Sequence, residues 1–217
     1  MSISPVVDLR EKFGPARDQR SRPTCLVFAV SAGHEFARSQ VEPLSTEMLF
    51  YHAVQLTHRD PRRGVSLDAV SEALPSKGQV VESEWPYLRS TPRIEDWSQP
   101  SWISECLAHK ARLDEVAPNV SEVIRVLQRG SPVLLIMSID NAMFQPSGGV
   151  VLDSICSAPI VAAHAVVAVG HGTAESGRFV LVRNSWGCEW GVGGHAWISE
   201  SYLNRHLRWG RVVSNGE

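Results

Sequence analysis

The sequence predicts an α+β protein in which a mainly helical first half is followed by a strand-rich second half. Two observations lead to this prediction. Apolar residues in the first part of the chain recur at the three- and four-residue spacing of helices. Beyond Asn119, short runs of aliphatic and β-branched residues take over, and such runs are typical of strands.

Three helices are predicted in the first half. The segment 25–40 has one apolar face at helical spacing, and Thr24 just before it is a candidate N-cap. A second helix is expected after Ser45, whose side chain suits an N-cap. A third covers 66–74 and ends at Pro75.

The remainder of the chain predicts loop, one short helix and then strands. The proline- and tryptophan-rich stretch 85–102 is predicted to be an irregular packed loop, and 121–128 is predicted to be helical. Four segments rich in strand-forming residues follow: 133–139, 164–169, 179–182 and 195–198.

Composition excludes several classes of protein. The formal net charge is -2 in 217 residues, so no basic excess indicates nucleic acid as a partner. Apolar stretches are too short to span a bilayer, which argues against a membrane partner. The first residues lack the pattern of a secretory signal, so we expect a cytoplasmic protein.

Cysteine usage argues against a metal site and against disulfides. The four cysteines lie far apart, without Cys-x-x-Cys or the Cys/His spacing of zinc sites, so no metal site is expected. Nothing directs the chain to an oxidising compartment, so no disulfide framework is expected and four free thiols are predicted. No cofactor is implied. The pair His34–Glu35 forms half of a metalloprotease motif, but Arg38 stands where the second histidine is needed. We therefore expect a surface pair there.

Cys25 and His164 are the first candidates for chemistry. A thiol becomes a good nucleophile when a helix N-terminus and an imidazolium lower its pKa, and Cys25 begins the first predicted helix. His164 opens an apolar strand. Taken alone, it is as consistent with a half-buried structural histidine as with a catalytic base.

A third candidate is Asn184, which begins a segment rich in glycine and tryptophan, 184–194. An asparagine oxygen that accepts a hydrogen bond from a histidine ring N–H would fix the orientation and tautomer of that ring. Tryptophan can shield such a bond from water.

In this order and spacing, these segments resemble the papain-like cysteine peptidases, and the resemblance covers nearly the whole chain. It is closest in kind to the bacterial members, which lack a propeptide and a signal peptide. The matching segments are Gln19-x5-Cys25, Leu44-Ser45, Glu84-Trp85-Pro86-Tyr87, Gly130-x-Pro132-Val133, His164-Ala165-Val166 and Arg183-Asn184-Ser185-Trp186-Gly187.

The resemblance implies one catalytic domain over residues 1–217. It would consist of a helical lobe, about 12–115, and a β-rich, barrel-like lobe, about 116–217, with the active site in the cleft between them. The resemblance also assigns a role to each catalytic residue. Cys25 is the nucleophile, His164 its base and acid, Asn184 the residue that orients His164, Gln19 an oxyanion donor, and Trp186 the shield over the His164–Asn184 contact.

A substrate pocket is implied as well, and its walls are small or apolar: Gly64, Val65, Ser66, Ala162 and Ala165. Peptides or proteins would be the substrates. Without a propeptide, a regulatory protein partner, narrow specificity or separation from substrate would restrain the activity. Arg22 replaces a cysteine that forms a disulfide in secreted relatives, which agrees with a cytoplasmic protein.

Three functions stay open on the sequence. Peptide-bond hydrolysis through a thioester is the first, and acyl transfer from the same thioester to an amine is the second. A binding module without activity is the third, and retention of Cys25, His164, Asn184 and Gln19 argues against it.

Overall fold

The computed structural model describes residues 2–153 and 158–215, so Cys156, one of the four predicted free thiols, lies outside the described residues. The chain divides into two compact units. We call residues 1–18 and 114–212 the sheet unit, and residues 19–113 and 213–217 the helical unit.

The described chain contains five α-helices and eight strands. The α-helices are α1 (Cys25–Ala37), α2 (Thr46–Thr57), α3 (Leu67–Ser76), α4 (Val120–Gln128) and α5 (Glu200–His206). The strands are β1 (Ser4–Asp8), β2 (Ala111–Val116), β3 (Val133–Ile139), β4 (Val150–Val151), β5 (Ala162–Ala174), β6 (Gly177–Arg183), β7 (His195–Ser199) and β8 (Leu207–Asn215). The predicted α+β class is confirmed.

The helical unit is built on α1, α2 and α3, as the apolar spacing predicts. The Ser45 hydroxyl caps α2 by accepting from the Met48 backbone N–H at 3.1 Å. In the same way the Ser66 hydroxyl caps α3, accepting from the Ala69 N–H at 3.3 Å. Each cap satisfies one of the backbone donors that a helix start leaves without an intrahelical partner.

The prediction that His34 and Glu35 form a surface pair is wrong for His34. Its side chain is fully buried, and ring Nδ1 lies 3.0 Å from Oε1 of Gln79. The reason is that α1 is buried on every side from Leu26 to His34, so a polar residue there must find a partner inside the protein. Glu35 accepts from the Leu44 backbone N–H at 2.9 Å.

A single sheet dominates the sheet unit, with strand order β2-β8-β3-β5-β6-β7-β4. The long strand β5 is central, and it pairs antiparallel with β3, with β6 and, off this path, with β1. Fully buried aliphatic side chains of β3 and β6 form much of its core. No helix among the described residues combines the length and apolar character that crossing a membrane requires.

The α-helices and strands that sequence periodicity did not predict are β1, β2, β4, β8 and α5. Strand β4 has two residues, too few for an alternation. Strand β1 pairs only with β5 and is largely exposed, so it lacks an apolar alternation. Strands β2 and β8 carry exposed charged residues between their buried ones. Helix α5 has seven residues, too few for a periodic pattern to be distinct.

Candidate active site

Cys25 is the first residue of α1 in the helical unit, and its side chain is partly exposed. It forms no disulfide. The first turn of α1 contains no acidic residue, so the partial positive charge of this 13-residue helix acts on the thiol unopposed by a neighbouring carboxylate in that turn. This position favours the thiolate form.

Thr24, directly before the nucleophile, does not cap α1 with its side chain, contrary to prediction. Its hydroxyl instead lies 2.8 Å from the Tyr87 hydroxyl. Tyr87 donates to the backbone oxygen of Gln19 at 2.8 Å, so Thr24 is the donor to Tyr87. A tertiary contact therefore replaces the local cap.

Gln19 is buried in the same unit as Cys25. Its side-chain amide donates to the backbone oxygen of Arg22 at 2.8 Å. The contacts of Tyr87 and Arg22 thus hold the backbone and the side chain of Gln19 within one short loop before α1.

His164 and Asn184 meet in the sheet unit. Both are buried, with His164 5% and Asn184 3% exposed. His164 Nε2 lies 2.7 Å from Asn184 Oδ1, and because the amide oxygen only accepts, Nε2 carries the proton. The same oxygen accepts from the Ser185 backbone N–H at 2.8 Å, which fixes the orientation of the amide. In the neutral ring, Nδ1 is then the nitrogen with a lone pair.

Strand pairing explains why these two residues are neighbours. His164 is the third residue of β5, and Asn184 directly follows β6. The two strands are antiparallel, with Val167 opposite Arg183, so both residues lie at the same end of the sheet. The Asn184 backbone N–H also donates to the Gly194 oxygen at 3.0 Å, which ties it to the glycine-rich turn.

Aromatic side chains cover the imidazole of His164. The Trp186 ring lies over it, with ring centroids 4.4 Å apart and planes inclined by 31°. Phe144 stacks on Trp186 at 5.2 Å. The sequence singled out Trp186, whereas Phe144 lies outside any predicted element and gave no signal. Together these rings keep water from the histidine–asparagine hydrogen bond.

Burial controls the protonation of His164. It lowers the pKa of the ring to about 4, and the hydrogen bond to Asn184 opposes this shift only in part. Without a nearby anion the ring is therefore neutral at pH 7, with Nδ1 able to accept a proton.

The predicted substrate-pocket residues divide between the units. Gly64, Val65 and Ser66 lie in the helical unit. Gly64 has φ 68°, and a Cβ there would lie 2.8 Å from the Pro23 oxygen, so only glycine fits. In the sheet unit, Ala162 is exposed and Ala165 is 2% exposed.

The catalytic candidates divide in the same way. The helical unit contains Cys25 and Gln19, and the sheet unit contains His164, Asn184 and Trp186. The structure places the members of each group in one unit. That the two groups together form one active site stays a prediction. Within residues 2–153 and 158–215, no three His, Cys, Asp or Glu side chains cluster as a metal would require.

A cysteine at a helix start and an asparagine-bound histidine, on an α+β fold, define a candidate cysteine-dependent enzyme. Residues 3–207 match the family model described as papain family cysteine protease. The chain belongs to the papain family of cysteine proteases, which confirms the resemblance found in the sequence.

Individual relatives agree with this assignment. A cysteine protease of Blomia tropicalis is 26% identical over 197 residues, which are 86% of this chain and 57% of that protein. The chain therefore spans a little over half the length of this curated relative.

Two solved structures show the same fold. Xylellain, a cysteine protease from Xylella fastidiosa, matches with a TM-score of 0.82 and 21% identity over all of this chain and 88% of that one. Digestive procathepsin L 3 of the Tenebrio molitor larval midgut matches at 0.79 and 17% identity, over 99% of this chain and 71% of its own.

Proposed function

We propose that the protein is a cysteine peptidase that hydrolyses peptide bonds through a thioester on Cys25. The observation that carries this proposal is the 2.7 Å hydrogen bond from His164 Nε2 to Asn184. It fixes the tautomer that leaves Nδ1 to exchange a proton with the Cys25 thiol. The position of Cys25 at the start of α1 also supports this proposal, because a helix N-terminus favours the nucleophilic thiolate.

The first half of the reaction forms the acyl-enzyme. The Cys25 thiolate attacks the peptide carbonyl carbon, and the electron pair of the C=O bond moves to oxygen. The Gln19 amide and the Cys25 backbone N–H stabilise this oxyanion. When the oxyanion collapses, the C–N bond breaks, and the His164 imidazolium gives its Nδ1 proton to the leaving amine.

The second half releases the acid. Neutral His164 takes a proton from water as the water oxygen attacks the thioester carbon. The C–S bond then breaks, the thiolate leaves, and the second product is a carboxylic acid. Since burial, opposed only in part by the Asn184 hydrogen bond, lowers the pKa of His164 to about 4, the proposal requires the thiolate to stabilise the imidazolium in the resting enzyme.

Acyl transfer to an amine is the second candidate, because the same thioester serves both reactions. Hydrolysis and acyl transfer are distinguished by incubating the enzyme with a peptide library, with and without an added primary amine, and measuring product masses by mass spectrometry. We expect products that have gained water under both conditions. Products that carry the amine as the main species would favour transfer instead.

The same library tests the pocket. Small or apolar side chains at Gly64, Val65, Ser66, Ala162 and Ala165 support a pocket for an apolar side chain next to the scissile residue. We therefore propose enrichment of aliphatic or aromatic residues at that position of the cleaved peptides. Enrichment of charged residues there contradicts the proposed pocket.

The oxyanion role of Gln19 gives a separate prediction. Replacing it with alanine removes one donor, and kcat is expected to fall by about 10²–10³-fold. The alkylation rate of Cys25 should stay near that of the wild type, because the thiolate does not depend on this donor. Gln55→Ala, an exposed glutamine on α2, is the matched control and should keep wild-type kcat. A Gln19→Ala enzyme with wild-type kcat would exclude the role.

A further inference from the structure

A buried ion pair lies directly beside the loop that carries Gln19 and Cys25. Arg22, midway between them in sequence, is 1% exposed, and Glu47 is fully buried. Arg22 Nη1 donates to Glu47 Oε2 at 2.5 Å and Nη2 donates to Oε1 at 3.1 Å. This is the bidentate geometry in which a guanidinium binds a carboxylate through two hydrogen bonds.

Further contacts fix both partners of the pair. Arg22 Nη1 also donates to the Leu88 oxygen at 2.7 Å, and the Leu88 N–H donates to Glu47 Oε2 at 3.1 Å. The guanidinium carbon lies 4.7 Å from the Tyr87 ring centroid and 5.2 Å from that of Phe50. Glu47 lies in the first turn of α2, where the helix dipole favours a carboxylate.

The backbone of Arg22 connects this pair to the candidate site. Its carbonyl oxygen accepts from the Gln19 side-chain amide at 2.8 Å and from the Thr24 N–H at 2.9 Å. The Arg22 carbonyl therefore fixes the orientation of the Gln19 amide, and the ion pair with Glu47 in turn fixes the position of Arg22. Tyr87, which packs on the guanidinium, also donates to the Gln19 oxygen at 2.8 Å.

We propose that the Arg22–Glu47 pair positions the oxyanion donor Gln19 and is a determinant of the catalytic rate. Both side chains are buried away from solvent, so we assign them as positioning residues that act through the Arg22 carbonyl. The inference rests on the proposed function, because it needs Gln19 to act on the oxyanion. Stability alone explains the pair less well, since a buried ion pair often contributes no more than apolar residues of the same volume.

The test replaces the pair as a unit. In Arg22→Met/Glu47→Leu no charge is left unpaired in the core, so the variant is expected to fold. We expect kcat to fall about 10- to 100-fold, less than on removing the donor outright. KM should change less than threefold, and the rate and pH profile of Cys25 alkylation should match the wild type. The control is Arg178→Met/Glu200→Leu, which removes an arginine–glutamate pair at the start of α5 and should leave kcat unchanged.

A double-mutant cycle with Gln19→Ala separates positioning from a general structural effect. If the pair acts through Gln19, the triple variant should have a kcat within about threefold of Gln19→Ala alone, because without the donor the pair has nothing left to position. A triple variant slower than Gln19→Ala by the whole pair effect of about 10- to 100-fold would show independent effects and overturn the inference. So would wild-type kcat in the pair variant while Gln19→Ala alone is impaired, and the proposed function would then still stand. A Gln19→Ala single variant with no defect refutes the oxyanion step of the proposed function itself.

Arg22→Lys keeps the test decisive if the pair variant does not fold. Lysine retains the buried positive charge beside Glu47 but lacks the planar guanidinium, which binds the carboxylate through two hydrogen bonds. We expect a folded enzyme with kcat between those of the wild type and Gln19→Ala. Wild-type kcat in Arg22→Lys would overturn the inference.

Discussion

Cys25→Ala is expected to lower kcat for peptide hydrolysis by roughly 10⁴–10⁶-fold, as removal of a catalytic nucleophile does elsewhere. The residual rate would come from substrate binding and the oxyanion donors alone. Folding should be unaffected, because Cys25 is partly exposed and alanine is a better helix former. The measurement is steady-state hydrolysis of a peptide cleaved by the wild type, with circular dichroism to confirm folding.

Cys106→Ala is the matched control for this loss. Cys106 is an exposed thiol of the same helical unit, and it belongs to no predicted site. Its removal should leave kcat and KM at wild-type values. Activity of Cys25→Ala within tenfold of the wild type would show that a different residue is the nucleophile.

The second large effect is a loss of stability in mild acid. Burial lowers the pKa of His34, His164 and His195 to about 4, from 6.5 for an exposed imidazole. Below pH 6.5 these three imidazoles therefore bind protons in the unfolded chain, whereas in the folded chain they stay neutral down to about pH 4. The free energy of unfolding must fall as pH decreases through this window, by about 1 kcal/mol per histidine between pH 7 and pH 5.5.

Other histidines add to this trend, because burial also lowers the pKa of His109, His171 and His206. Urea unfolding of the Cys25→Ala protein at pH 7 and pH 5.5 measures the effect without self-digestion, and without a thiolate that would stabilise charged His164. We expect a loss of about 3 kcal/mol or more.

A single variant assigns the trend to buried rings. His34→Leu should remove about 1 kcal/mol of the pH dependence, whatever its effect on absolute stability. Equal stability at pH 7 and pH 5.5 would show that these histidines are not buried in neutral form.

Local chemistry made part of the fold predictable. Ser45 and Ser66 cap their helices because a hydroxyl before an apolar periodic segment has a backbone donor within reach. Thr24 has the same local pattern, yet its hydroxyl bonds Tyr87, 63 residues away in sequence. His34 likewise bonds Gln79. Hydrogen bonds between residues so far apart in sequence produce no periodic pattern from which they could be predicted.

The candidate site was predictable to the same degree. His164 and Asn184 could be paired because an antiparallel strand pair brings such positions together, and the resemblance supplied the roles. Phe144 was missed because its stacking on Trp186 depends on a loop conformation. Arg22 was noted only as the replacement of a cysteine, since nothing in the sequence indicates that Glu47 is its partner.

The central claim is that the thiol of Cys25 and the imidazole of His164 form an ion pair. The most direct test is the rate of Cys25 alkylation by iodoacetamide against pH, followed by peptide mass spectrometry in the wild type and in His164→Ala. Exposed Cys106 in the same samples provides an internal comparison. We predict fast alkylation of Cys25 that persists well below pH 7 and is lost in His164→Ala. Alkylation that follows a free thiol, near pH 8.5 in both proteins, would contradict the account.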